Sequence, residues 1–131
     1  YGLGTAVEAL CDKVRESTNV FVSSDIQLPE DQMVSKELKI NLYRIIQECI
    51  SNSIKHAAAT SIRITGQMIQ DRFHLMVQDN GRGFDAELLH NKAATSFGLL
   101  NMQERARILS GIFKIESTPG HGTKNQIIVP I

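Results

Sequence analysis

The sequence predicts an α+β fold in which a mixed β-sheet has helices packed on one face. Helix-like and strand-like patterns both occur, and the strand-like segments come in hairpin-like pairs instead of alternating with helices. The 131 residues are enough to bury one core, and a hydrophobic fraction of 42% is ordinary for a globular protein. We therefore expect residues 1–131 to form a single domain, built as a two-layer α/β sandwich.

Three segments carry apolar residues at spacings of three and four, which predicts helices over residues 5–17, 36–59 and 99–109. Ser35 precedes the second segment and is a favourable N-cap residue, at the end of a connection covering residues 28–35. Gly111 follows the third segment and is typical of the position just beyond a helix end.

Strand patterns fill most of the remaining chain. Alternation of apolar and polar residues predicts strands over residues 61–68 and 72–79, with shorter strands over residues 19–24, 112–117 and 125–131. Glycine-rich turns lie at residues 80–83 and 118–122, and residues 85–97 form a loose polar segment before the third helix.

Composition and charge exclude several classes of partner. Basic and acidic side chains number 14 each, so a neutral domain gives no electrostatic case for nucleic acid. No apolar run approaches the roughly 18–20 residues that span a bilayer, and no signal-peptide pattern opens the chain. Cys11 and Cys49 lie in apolar helical patterns without CxxC spacing, which indicates buried residues in a reducing compartment. We expect a cytoplasmic domain with no direct membrane contact and, because the chain begins at Tyr1, a fragment of a longer protein.

A polar stripe runs along the second predicted helix. The stripe consists of Glu48, Asn52, Lys55 and His56. On a helix these residues fall within about 100° of arc, at the margin of the apolar face, where solvated charges do not usually lie. An ordinary i,i+4 hydrogen bond and a basic last turn that suits the helix dipole would also explain the pattern. Taken alone, the helix favours that structural explanation over a functional one.

The strand over residues 72–79 ends in a second polar feature. Asp79 has the parity of the apolar residues before it, so its carboxylate is expected to point toward the helix layer. Gly81 and Gly83 follow, which allow backbone with positive φ and the close approach of another group. A hairpin or a strand–helix turn would account for this short pattern equally well.

Two further glycine segments follow in order. Gly98 opens a helix whose free N–H groups are suited to phosphate oxygens. Residues 120–123, with Gly122 and Thr123 at their end, supply a flexible turn before the last strand. Each segment is ambiguous, but the four in this order indicate one site.

The ordered set resembles the ATP-binding domains shared by histidine kinases, DNA gyrase, heat-shock chaperones and mismatch-repair ATPases, which have the Bergerat-type fold. Residues 47–57 are similar to the N box of that superfamily, residues 79–84 to the G1 box, residues 98–105 to the G2 box and its helix, and residues 120–123 to the final glycine box. The spacing from Glu48 to Asn52 followed by Lys-His-Ala, and the run Met-x-Glu-Arg-Ala, look like the histidine-kinase subfamily that includes nitrate-responsive sensors.

The resemblance implies ATP as substrate, Mg²⁺ as cofactor and a distinct role for each polar residue. Asp79 would accept a hydrogen bond from the adenine amino group, and Asn52 would offer its amide oxygen to Mg²⁺. Lys55 and His56 would lie near the phosphates, and Glu48 would orient or deprotonate the attacking group. Residues 85–97 would form a lid over the triphosphate. The remaining ATP contacts implied by the resemblance are Gly81, Gly83, Phe84, Gly98, Leu99, Gly122 and Thr123.

The chain departs from the superfamily pattern at Ser96, where the second glycine box usually has its first glycine. We expect weaker or altered closure over the phosphates there, with binding retained. None of the four histidines follows the helical His-Asp/Glu pattern of a phosphate acceptor. The acceptor is therefore expected on a separate dimerisation domain, followed by a response regulator, and this fragment is not expected to autophosphorylate. Whether the parent protein is anchored in a membrane stays open.

Three other functions are compatible with parts of the pattern. A hydrolytic ATPase of the gyrase or chaperone type would need further domains and a longer lid. An anti-sigma serine kinase uses the same kind of domain. A degenerate module that binds a partner without using ATP is disfavoured because the functional pattern is intact at Glu48, Asn52, Asp79 and Gly83.

Overall fold

The computed structural model describes residues 2–28, 34–83 and 98–131. Two helices and a strand come first, a hairpin follows, and a short helix precedes the last hairpin. The elements in chain order are α1 (Leu3–Ser17), β1 (Phe21–Ile26), α2 (Lys36–Lys55), β2 (Ser61–Ile69), β3 (Arg72–Asp79), α3 (Leu99–Ile108), β4 (Ile112–Ser117) and β5 (Thr123–Pro130).

The strands form one mixed sheet of five, in the order β1-β2-β3-β5-β4. β1 runs parallel to β2, and the other neighbouring strands are antiparallel. Val77 in β3, the middle strand, lies opposite Ile64 in β2 and Asn125 in β5. Helix α2 contacts β3, so the middle of the sheet lies under the helix layer. The predicted α+β class with a mixed sheet is confirmed.

The core lies between the sheet and the helices, which pack on one face. α1 packs on β1, and α2 contacts α1, α3 and β3. Because side chains alternate along a strand, the residues of one parity form the buried face of the sheet: Val22, Ile62, Ile64, Phe73, Leu75, Val77, Ile127 and Val129. Removing a side chain of this kind from water stabilises the fold by about 1.5–3 kcal/mol. Both cysteines are buried and unpaired, as predicted.

The start of α2 agrees with the sequence, and its end does not. Ser35 caps the helix, and its Oγ accepts a hydrogen bond from the Leu38 N–H at 3.0 Å. The predicted continuation to residue 59 is wrong because Ala58 adopts a left-handed φ of +50°. The Ala59 N–H then bonds back to the Ser53 carbonyl oxygen at 3.0 Å, which closes the helix end.

The end of α3 also differs from the prediction. The left-handed residue is Ser110, with φ of +58°, and not Gly111. The Gly111 N–H bonds to the Ala106 carbonyl oxygen at 2.8 Å, as the residue after the left-handed position does in a Schellman motif. Gly111 is needed for space, since an added Cβ would overlap Val129 Cγ1.

The predicted ends of two strands are also wrong, because pairing with neighbouring strands decides where each strand begins and ends. β1 is Phe21–Ile26 because it pairs with β2 as far as Gly66, whereas the sequence predicts residues 19–24. β5 begins two residues early, at Thr123, because that residue pairs with both Asp79 and Ser117. No helix in the described parts of the chain is both long and apolar enough to cross a membrane. The predicted lid over residues 85–97, together with Phe84 and Ser96, lies outside the described residues.

Candidate nucleotide-binding site

Asp79 is the polar residue on which the site is centred. It ends β3 on the inner face of the sheet and is only 7% exposed, so the parity argument is confirmed. Oδ1 accepts hydrogen bonds from the Gly81 N–H at 2.9 Å and the Thr123 N–H at 3.2 Å. Oδ2 accepts one from the Ser53 hydroxyl at 2.6 Å. Hydrogen bonds to the charged form are what make a buried carboxylate tolerable.

Ser53 is a site residue that the sequence analysis missed. It lies on the buried side of α2, and its hydroxyl is within 3.0 Å of the Cys49 carbonyl oxygen as well as within reach of Asp79. A hydroxyl has a single hydrogen, so it can donate to one of these two acceptors at a time. The signal in the sequence is a polar residue on the apolar face, four positions after Cys49.

Asp79 lies at the floor of a cavity between α2, α3 and the sheet. Apolar walls with a few converging polar groups are typical of a small-molecule site. The structure brings together Asn52, Asp79, Leu99 and Thr123 from the predicted set, and the full lining is Cys49, Asn52, Ser53, Ala57, Asp79, Leu99, Ile115, Thr123 and Asn125. Cys49, Ser53, Ala57, Ile115 and Asn125 were not predicted, because strand register and helix packing decide which residues line a cavity.

Glu48 and Gly98 lie in direct contact at the start of α3. Glu48 is half-buried, and an added Cβ on Gly98 would overlap its carboxylate. Gly98 has φ of +65° and occupies the N-cap position of α3, so no other residue fits there without strain. A carboxylate at this place faces the positive end of the helix dipole, which favours a negative charge.

Two contacts between α2 and α3 hold this arrangement. The Cys49 thiol donates to Met102 Sδ at 3.6 Å in the core. Nearer the other end of α3, Arg105 Nη1 donates to Asn41 Oδ1 at 3.0 Å. These contacts fix the position of α3 along α2, and thereby the position of Gly98 beside Glu48.

Lys55 and His56 occupy the end of α2, a few residues after Asn52, and do not themselves line the cavity. Lys55 is exposed in the last turn, and His56 is the C-cap residue, whose N–H bonds to the Asn52 carbonyl oxygen at 2.9 Å. The His56 carbonyl oxygen accepts from Arg82 Nε at 2.9 Å. This bond ties the glycine turn after β3 to the helix that carries Asn52.

The glycines of the turns serve close packing of backbone on backbone. Gly122 has φ of +79°, and an added Cβ would overlap the Asp79 carbonyl oxygen. Gly81 packs in the same way on Ala57, and Gly83 packs on Thr118. The predicted passage of Gly81 and Gly83 beneath a base stays a prediction, since their nearest neighbours in the structure are these protein groups.

The burial of Cys49 makes the stability of the fold depend on pH. Burial raises the pKa of its thiol well above the usual range, and the nearby Glu48 and Asp79 carboxylates add to the rise. Because the folded pKa exceeds the unfolded one, stability is complete below the unfolded pKa of about 8.5 and falls as pH rises above it.

We expect the free energy of unfolding of the wild-type protein to fall by about 1 kcal/mol for each pH unit above pH 9. Urea denaturation between pH 8 and pH 10 measures the slope. Cys49→Ala should lower the stability at every pH and make the slope shallower, with the remainder due to Cys11, whose pKa burial also raises. Equal slopes in the variant and the wild type would contradict the assignment to Cys49.

The sequence matches a known family over most of its length. Residues 37–131 match the family described as histidine kinase-, DNA gyrase B-, and HSP90-like ATPase. The chain belongs to this family. It is 40% identical over 126 residues to the sensor histidine kinase YdfH of Bacillus subtilis, covering 95% of this chain and 30% of that protein. It is 39% identical over 102 residues to the signal transduction histidine-protein kinase/phosphatase DegS of the same organism, covering 78% of this chain and 26% of DegS.

Solved structures show the same fold at low sequence identity. A blue-light activated histidine kinase of Erythrobacter litoralis superposes with a TM-score of 0.80 at 15% identity, covering 98% of this chain and 41% of that one. The ATP-binding domain of PrrB from Mycobacterium tuberculosis gives 0.72 at 19% identity, covering 98% and 90%. The family match and the shared fold make the chain a domain of the kind found in histidine kinases, and it spans under a third of the length of the two Bacillus relatives. The nitrate-responsive subfamily stays a prediction.

Proposed function

We propose that this domain binds ATP with Mg²⁺ in the cavity above Asp79 and transfers the γ-phosphoryl group to a histidine on a separate dimerisation domain of the same protein. The observation that carries the proposal is the free acceptor capacity of the buried Asp79 carboxylate. Oδ1 already accepts two N–H groups, and a carboxylate oxygen has room for about two. Among the residues that the structure describes, Oδ2 accepts only the Ser53 hydroxyl, which leaves a lone pair for the adenine amino group.

Asn52 supports the Mg²⁺ part of the proposal. Its side chain is half-buried and lines the same cavity as Asp79. Mg²⁺ prefers oxygen ligands and is usually held by one or two side chains together with phosphate oxygens and water. No cluster of three or more His, Cys, Asp or Glu residues suited to a metal occurs in the described parts of the chain. A single amide oxygen at the triphosphate end of the cavity fits the ion, which would neutralise charge on the phosphates.

In the proposed reaction, Glu48 receives the proton that the acceptor histidine loses. A nitrogen of the acceptor histidine attacks the γ-phosphorus, the bond from that phosphorus to the β–γ bridging oxygen breaks, and ADP leaves with the electron pair. The attacking nitrogen is the one without a hydrogen, so the ring becomes positively charged and loses the proton of its other nitrogen, which Glu48 accepts or orients. The carboxylate beside Gly98 lies at the N-terminus of α3, whose N–H groups would hold phosphate oxygens. Lys55, at the end of α2, would add positive charge.

The positions of the histidines are consistent with an acceptor on another domain. His56 caps α2, His74 lies in β3 on the face away from the helices, and His121 lies in the turn before β5. His90 lies outside the described residues. We propose a cytoplasmic location and a response regulator as the downstream partner, since the relatives are named sensor kinases.

Calorimetric titration with a non-hydrolysable ATP analogue, with and without Mg²⁺, tests binding. We expect the wild type to bind more tightly with Mg²⁺, and we expect Asn52→Ala to lose that difference while keeping the Mg²⁺-independent part. Asn19→Ala, which removes an exposed amide that does not line the cavity, is the matched control. Failure of the wild type to bind at millimolar analogue would favour a degenerate interaction module instead.

Phosphotransfer is tested by adding the dimeric histidine domain of the parent protein and ATP labelled at the γ-phosphate. We expect the label to appear on a histidine of that domain. Label released as free phosphate would instead assign the domain to the hydrolytic ATPases, and label on a serine of a protein substrate would assign it to the serine kinases.

A further inference from the structure

Asn125 lines the cavity above Asp79 and has no role in the proposed binding of ATP or in the proposed phosphotransfer. It is 4% exposed and lies on the inner face of β5, between Thr123 and Ile127 of the same parity. Its pairing partners are Val77 in β3 and Ile115 in β4. An apolar residue would suit this place better, because both of these partners are apolar.

The hydrogen bonds of the Asn125 amide are incomplete. Nδ2 donates to the Val77 carbonyl oxygen at 3.4 Å, which is long compared with an ordinary N–H···O bond. Oδ1 has no partner within residues 2–28, 34–83 and 98–131. Within those ranges, however, no fully enclosed side-chain oxygen or nitrogen is left unpaired. Oδ1 therefore opens on the cavity that Asn125 lines.

The orientation of the amide follows from the same contact. If the amide group were rotated by 180°, Oδ1 would take the place of Nδ2 beside the Val77 carbonyl oxygen. Both oxygens are acceptors, so they would repel each other. The acceptor side of Asn125 therefore faces the cavity. This places a second oxygen acceptor on the floor of the site, two residues along β5 from Thr123, whose N–H holds Asp79.

We propose that Asn125 is a second residue that reads the nucleotide base. Its Oδ1 accepts a hydrogen bond, directly or through one bound water, from the adenine amino group, whose other hydrogen goes to Asp79. This assignment rests on the proposed binding of ATP in the cavity. Adenine carries two amino hydrogens at that position, whereas guanine and hypoxanthine carry an oxygen that would face two acceptors. The two residues together would select adenine more strictly than Asp79 alone.

Asn125→Val tests the role, with ADP and inosine diphosphate as ligands and calorimetry as the measurement. Valine removes the amide at similar size and favours a strand. We expect ADP affinity to fall about tenfold, which is the loss of one good hydrogen bond in a buried site. Inosine diphosphate affinity should stay the same or rise, so the preference for ADP falls. The melting temperature of the nucleotide-free variant should equal or exceed that of the wild type, because a poorly paired buried amide is removed.

The outcomes separate the role of Asn125 from the site itself. An unchanged preference for ADP in Asn125→Val would overturn the inference. An equal loss of affinity for ADP and inosine diphosphate, together with a lower melting temperature, would also overturn it, because that combination indicates a structural role. Failure of the wild type to bind ADP would overturn the nucleotide site, and this inference with it. Asn125→Ala provides a smaller variant if valine prevents folding, and Gln126→Val, on the opposite face of β5, is the matched control.

Discussion

Asp79→Asn is expected to lower the affinity for ATP analogues about 100-fold or more while the protein stays folded. A hydrogen bond to a charged group contributes about 1.5–3 kcal/mol, which corresponds to the greater part of this loss. The substitution also presents an amino group where adenine presents one, so that two donors face each other. Titration of both proteins with the same analogue measures the ratio.

The hydrogen bonds around Asp79 explain why the fold should tolerate this change. Oδ1 accepts from two backbone N–H groups, of Gly81 and Thr123, so the oxygen of an asparagine must stay on that side. The new amino group then takes the place of Oδ2 and faces the Ser53 hydroxyl. That hydroxyl can accept from it and donate to the Cys49 carbonyl oxygen, which is already 3.0 Å away. Only charge assistance is lost, at about 1–2 kcal/mol, well below the stability of a typical domain.

The base specificity of Asp79→Asn gives an independent check. An asparagine amino group can donate to the oxygen on the ring of guanine or hypoxanthine. The ratio of the affinity for adenine nucleotides to that for guanine or hypoxanthine nucleotides should therefore fall by a larger factor than the affinity for adenine nucleotides alone. Asp25→Asn, an exposed carboxylate in β1, removes one negative charge without touching the cavity and should bind as the wild type does. Affinity in Asp79→Asn within about threefold of the wild type would mean that Asp79 does not contact the base.

The parts of the site that follow from local periodicity could be predicted from the sequence. Asp79 shares the parity of a buried strand, and Asn52 lies at the margin of an amphipathic helix, so both were expected at the interface of the two layers. The structure brings them to one cavity. The same reasoning predicts the Ser35 cap, since capping depends on a few neighbouring residues.

The parts that depend on packing between distant segments could not be predicted in this way. Ser53 meets Asp79 only because α2 crosses the sheet at that point, and Asn125 faces the cavity only because Thr123 pairs with Asp79. The end of α2 depends on Ala58 adopting a left-handed conformation, which its residue type does not favour. Tertiary contacts decide such positions, and no pattern within a short window reports them.

Glu48→Gln is expected to slow phosphotransfer to the histidine domain by about 10²- to 10⁴-fold, the usual contribution of a positioned proton acceptor. Glutamine has the same shape but cannot take a proton at neutral pH, so nucleotide affinity should stay within about threefold of the wild type. Single-turnover transfer from labelled ATP at saturating nucleotide measures the rate of the chemical step. Glu37→Gln, an exposed carboxylate in the first turn of the same helix, should transfer at the wild-type rate.

Gly98→Ala tests whether the position of the Glu48 carboxylate matters as well as its presence. The added Cβ would overlap the carboxylate, and because that group is the flexible end of a side chain, it is the part that moves. Alanine also adopts φ of +65° at a cost of about 1–2 kcal/mol, so the variant should be less stable yet folded. A slow transfer with Glu48 intact would show that the contact with α3 positions the proton acceptor. Normal rates in both Gly98→Ala and Glu48→Gln would instead place the acceptor of the proton on the histidine domain.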